Sequence, residues 1–131
     1  MADQLRVLVA DEQSGIRYAL RTLLQIASEL DAQVVGEAAD MPALLALLAT
    51  QQPDVLLLDW HLPGFQSLDC LRALCPDLPV VVLSIRSEAR EAALSAGARA
   101  FVYKGDPVER LIEAIQSARP APPALPPTFN L

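Results

Sequence analysis

Cysteine, histidine, tryptophan and glycine are scarce in this chain: two, one, one and five of 131 residues. Cys70 and Cys75 lie close together, and His61 is the one histidine, so neither a disulfide framework nor a zinc site is expected. Both thiols are expected to be reduced, which makes the cytoplasm the default location. No apolar run approaches the roughly 18 residues that a membrane span needs, so no membrane partner is expected. No basic and hydrophobic leader opens the chain, so no signal peptide is expected. Basic residues are outnumbered 10 to 16, giving a net charge of −6 and a pI near 4.6. Direct nucleic-acid binding needs a basic face and is therefore not expected. The partner is expected to be a protein or a small ion.

What the chain does have is apolar strand material. Hydrophobic residues make up 53% and charged residues 20%, enough for one well-packed domain. The organising stretch is Asp54-Val55-Leu56-Leu57-Leu58-Asp59-Trp60-His61-Leu62-Pro63-Gly64. An unbroken apolar run ending in a carboxylate and a turn reads as a central parallel strand, buried on both faces. Four further strands are read at Leu5–Ala10, Gln33–Ala38, Pro79–Ser84 and Arg99–Lys104, the second nearer the sheet edge.

Helices fill the gaps. The first carries a stripe of Ile16, Ala19, Leu20, Leu23, Leu24 and Ala27, with Arg17 and Arg21 on the other face. Asp40 and Pro42 open the second. The third covers about Ser67 to Leu74 and stops at Cys75-Pro76. Ser87 caps the fourth, which Gly97 ends. Asp106-Pro107-Val108-Glu109 reads as a capping box opening the fifth, which buries Val108, Leu111, Ile112 and Ile115. Strict alternation makes this an α/β fold, a five-stranded parallel sheet covered on both faces by five helices. The folded unit is expected over residues 1–118, with a Pro-rich tail over 119–131.

Asp11, Glu12, Asp59, Ser84 and Lys104 all fall at carboxyl ends of these strands, where open α/β sheets bind ligands. Three neighbouring carboxylates repel one another, and a hard cation relieves the repulsion. Mg2+ suits them best, because it binds one or two carboxylates with waters and phosphate oxygens. Lys104 can then meet a phosphoryl group as a point charge, and Ser84 can donate a hydrogen bond to it. A carboxylate such as Asp59 can itself be phosphorylated.

Taken in order, these motifs resemble the receiver domains of bacterial two-component response regulators, over about residues 4 to 118. The resemblance implies a flavodoxin-like strand order of 2-1-3-4-5. It implies that Asp59 takes a phosphoryl group from a histidine kinase or phosphotransfer protein. Glu12 and Asp59 would bind Mg2+ directly, with the backbone carbonyl of His61 as a third ligand and Asp11 acting mostly through water. Ser84 would move onto the phosphate and Phe101, the switch aromatic, would turn inward. Helix four, strand five and helix five would then present an altered face to a downstream protein or a fused output domain. Dimerisation through that face is left open. His61 and Arg86, two residues beyond Asp59 and Ser84, would tune dephosphorylation.

Three features depart from the pattern. Gly105 follows Lys104 where the family usually has proline. The Lys104-Gly105-Asp106-Pro107 run resembles the subfamily usually fused to a LuxR-type helix-turn-helix, a domain not expected within this chain. The short segment from Ser84 to Lys104 also predicts a trimmed loop or fourth helix.

Rival readings rest on less. Asp59 alone would serve equally well as a turn or cap residue. Asp59-Trp60-His61-Leu62-Pro63-Gly64 also fits the Asp-x-His-x-x-Gly motif of cobalamin-binding domains, but that motif follows the first strand of its domain, not the third. A hydrolase or flavin carrier would need an Asp-x-Asp pair or a Gly/Ser/Thr-rich phosphate loop, and neither is present. The remaining alternative is a pseudo-receiver, a protein-binding module that works without phosphorylation. The expected role is that of a phosphoacceptor regulator, not an enzyme.

Overall fold

The structure is a computed structural model that describes residues 4–65 and 67–120. Its five strands are β1 (Leu5–Ala10), β2 (Ala32–Ala38), β3 (Val55–Asp59), β4 (Val80–Ser84) and β5 (Ala100–Tyr103). All pair in parallel in the order β2-β1-β3-β4-β5. The crossover helices distribute themselves over both faces of the sheet, as the right-handed rule for parallel connections leads one to expect. α1 (Ser14–Ile26) and α5 (Val108–Ala118) cover one face, while α2 (Met41–Thr50), α3 (Leu68–Leu74) and α4 (Ala89–Ser95) cover the other.

The two cores follow from the period of two along a strand. Val7, Val9, Val55, Leu57, Val81 and Leu83 face α1 and α5. Leu8, Ala10, Leu56, Leu58, Val80 and Val82 face α2, α3 and α4. Every residue of β3 and β4 is buried, as their unbroken apolar runs require. Each fully buried leucine contributes roughly 2–3 kcal/mol of transfer free energy.

Turn chemistry fixes several ends. Asp40 caps α2 by accepting from the Ala43 N–H at 2.9 Å, with Pro42 in the first turn. Gly97, at φ +108°, closes α4 with the paired bonds from Ala98 N to Ala93 O and Gly97 N to Leu94 O. α4 has seven residues, as does α3.

Three local expectations fail. Ser87 does not cap α4, because Glu88 occupies the cap position in helical conformation and makes no side-chain bond. Asp106 does not open a capping box. Its N–H closes a turn onto Tyr103 O, and Pro107 takes the cap position, its carbonyl accepting from Arg110 N. Val108 is consequently the first residue of α5, at the open end of the sheet, and is 47% exposed. Arg17 and Arg21, off the apolar stripe of α1, both reach Glu37 on β2. Beyond Pro120, the expected tail lies outside the described residues.

Candidate functional site

The carboxyl ends of β1 and β3 are neighbours, while β5 lies two strands beyond β3, so its contribution comes through the long side chain of Lys104. Asp11 follows β1 directly, and its N–H bonds to Ala38 O at 2.9 Å. Its Oδ1 accepts from the Gln13 N–H at 2.9 Å, fixing the side chain in an Asx-type turn. Asp59 ends β3 and accepts from the His61 N–H at 3.2 Å. Lys104 follows β5, held by a bond from its own N–H to Ser84 O at 2.8 Å. Its Nζ lies 2.8 Å from Asp11 Oδ2 and 3.3 Å from Asp59 Oδ1.

Asp11, Asp59 and Ser84 are the buried polar side chains among the described residues, at 2%, 7% and 0% exposure. Burial without partners would be costly, but no buried side-chain nitrogen or oxygen among the described residues is left unpaired. Two carboxylates against one ammonium leave the trio about one charge negative. Ser84 Oγ accepts from the Arg86 N–H at 2.9 Å.

The remaining expected residues stand at the rim. Glu12, His61 and Arg86 are exposed, and the Arg86 guanidinium faces Glu88 at 3.7 Å. Trp60, His61, Arg86, Glu88, Ala89 and Ala92 line a shallow depression beside Asp59. Trp60 packs edge-on against Phe65, with ring centroids 5.8 Å apart. Phe101, half-buried on β5, packs on the α2, α3 and α4 side of the sheet. Gly105 leaves room for the Tyr103 ring, which a Cβ there would meet at 2.4 Å. Because that ring is 41% exposed, it could turn away and admit a larger residue.

The donor set suits a hard cation, being all oxygen and net negative. Among the described residues no three His, Cys, Asp or Glu side chains converge on one point. The ready pair is therefore Asp11 and Asp59, and Glu12 has to turn inward from the rim to join them. One or two carboxylates completed by water and phosphate oxygens is how Mg2+ is usually held, so these residues fit it.

Sequence reading missed Arg17 and Glu37. Arg17 Nη1 donates to Asp11 O at 2.7 Å and to Glu12 O at 3.0 Å. Its Nε lies 3.4 Å from Glu37 Oε1, and Glu37 also takes Arg21. The available signal was Glu37 itself, a carboxylate one residue from the carboxyl end of the strand beside β1.

The family model described as the response regulator receiver domain matches residues 7–116. The chain is 32% identical over 117 residues to response regulator GacA of Pseudomonas aeruginosa, covering 86% of this chain and 54% of that one. It is 42% identical over 117 residues to protein-glutamate methylesterase/protein-glutamine glutaminase 5 of Myxococcus xanthus, covering 83% of this chain and 33% of that one. Among solved structures it is similar to the receiver domain of the putative response regulator NarL from Mycobacterium tuberculosis. That match has a TM-score of 0.74 and 27% identity, covering 88% of this chain and 98% of the other. The chain spans about half or less of the length of the two sequence relatives.

Proposed function

Because the chain belongs to the response regulator receiver family, we propose that it is a phosphoacceptor signalling domain with Asp59 as its acceptor. The observation that carries this reading is Lys104 Nζ held between Asp11 and Asp59, at 2.8 and 3.3 Å. An Asp59 carboxylate oxygen attacks the phosphorus of a phosphohistidine on a kinase or phosphotransfer protein. The P–N bond breaks and the imidazole leaves, its freed nitrogen taking a proton from solvent. Little covalent work falls to the protein, which positions the groups and balances charge.

Lys104 is already beside the acceptor oxygen and meets the incoming phosphoryl oxygens as a point charge. Glu12, Asp59 and the His61 carbonyl would hold Mg2+, with Asp11 reaching it through water. The ion supplies neutralisation of the phosphoryl oxygens as negative charge gathers there. Ser84 Oγ exchanges its bond from the Arg86 amide for a phosphate oxygen. Phe101 turns into the space this opens, and the α4, β5 and α5 face changes for a downstream protein or a fused output domain. His61 and Arg86 flank the route of water to Asp59 and set the phosphoryl lifetime. A cytoplasmic setting agrees with two free cysteines.

The test is mass spectrometry after incubation with phosphoramidate or acetyl phosphate and Mg2+. Wild type gains one phosphoryl group, and Asp59→Asn gains none. A folded wild type left unmodified by several donors overturns the reading. Equal binding of a partner by wild type and Asp59→Ala would favour the pseudo-receiver instead.

A further inference from the structure

The geometry points to Arg17, braced by Glu37, as a positioning residue that sets the Asp11–Glu12 loop for its cation. The inference rests on the phosphoacceptor reading above and adds to it a pair of residues from outside the strand-end cluster.

One guanidinium nitrogen of Arg17 donates to two successive carbonyls, Asp11 O at 2.7 Å and Glu12 O at 3.0 Å. Adjacent carbonyls drawn to one donor fix both intervening peptide planes, and with them the directions in which the two acidic side chains leave the backbone. Gln13 then secures the Asp11 carboxylate from the other side, at 2.9 Å. Arg17 is itself held from β2. Its Nε faces Glu37 at 3.4 Å, and the side chains are 19% and 25% exposed. Glu37 pairs in register with Val9, two residues before Asp11, so the brace stands on the strand that also receives the Asp11 N–H.

An ordinary surface ion pair would contribute about 1 kcal/mol or less and touch nothing else. This one differs because its guanidinium bonds the backbone of both acidic residues. Groups that orient ligands without touching the ion typically control metal affinity about 10- to 100-fold.

Charge and position make opposite predictions, which allows a clean test. Removing a cation near an acidic site tightens Mg2+ binding if charge alone matters. Removing the residue that aims the carboxylates weakens it.

Urea unfolding, followed by Trp60 fluorescence in EDTA and across a series of Mg2+ concentrations, separates these effects. The EDTA midpoint reports any cost to the fold, and the Mg2+-dependent increment reports affinity. Arg17→Gln is expected to bind Mg2+ about tenfold more weakly than wild type. Glu37→Ala is expected to weaken binding about threefold, and the double variant to be no worse than Arg17→Gln, because the brace acts only through the arginine. Arg17→Lys restores the charge but not the planar fork, and is expected to recover only part of the affinity. Unchanged or tighter Mg2+ binding by Arg17→Gln overturns the inference and leaves the phosphoacceptor reading standing. Wild type without any Mg2+ increment overturns the inference together with the cation site on which it rests.

Discussion

The two flanks of the Asp59 site are held very differently. On the β1 side, Asp11 is fixed by a backbone bond to β2, by Gln13, by Lys104 and, through its carbonyl, by Arg17. On the β4 side, Ile85, Arg86, Ser87 and Glu88 are all exposed, and the helix they lead into has seven residues and no side-chain cap. A helix that short has little stability of its own and depends on packing. That packing is made with small residues, Ala89, Ala93 and Ala96 being the buried ones of α4 and its end. The contrast is one of anchoring. The β1 flank is tied down by several bonds, while the β4 flank rests on a short helix packed through alanines and is expected to open at lower cost.

The largest expected effect comes from breaking the anchored flank at its centre. Lys104→Met leaves Asp11 and Asp59 adjacent with no cationic partner. Its metal-free stability is expected to fall by about 3 kcal/mol, with Mg2+ restoring part of the loss. A fall well under about 1 kcal/mol in urea titrations would mean that water already screens the pair, and the contrast between flanks would lose its basis.

A smaller effect is expected on the yielding flank. Gly97 combines a φ of +108° with a Cβ position only 2.9 Å from Cys75 Cβ. Gly97→Ala is expected to cost about 1–2 kcal/mol. Hydrogen exchange should find the loss confined to α4 and the turn before β5, with β1 and β3 amides unchanged. Acceleration spread evenly over the sheet would show that α4 does not open independently.

The smallest expected effect concerns Cys75, which packs against that turn. Burial pushes its thiol above the ordinary 9.0, and the Arg99 guanidinium opposes this without cancelling it. The thiolate is the reactive form, so alkylation of Cys75 in the folded protein should lag behind the unfolded chain near neutral pH, and the gap should close only as pH climbs through the raised folded value. The stability linked to the neutral thiol is fully present below the unfolded value and is lost as pH climbs through the raised one. A Cys75 that alkylates equally fast in both states at neutral pH would mean that the α3–α4 contact is already open.

Much of the molecule was legible beforehand, and the reason is local. Unbroken apolar runs such as Val55–Leu58 and Val80–Leu83 mark strands buried on both faces, and a polar residue that ends such a run must lie at the sheet's carboxyl edge. Asp11, Asp59, Ser84 and Lys104 are set there by strand position alone, whatever their side chains do. Caps were read less well, because a hydroxyl or carboxylate near a helix start can bond in several ways. Asp40 caps α2, while Ser87 and Asp106 lose their expected positions to Glu88 and Pro107. What the sequence determined by itself was therefore the sheet, its faces and the residues at its edge. Only the tertiary structure decided which of those residues meet. Lys104 bridges residues 93 and 45 positions away, and Arg17 joins the loop before it to Glu37 on a different strand. Such pairs obey distance in space, set by strand order and crossover hand, and no periodicity along the chain encodes them.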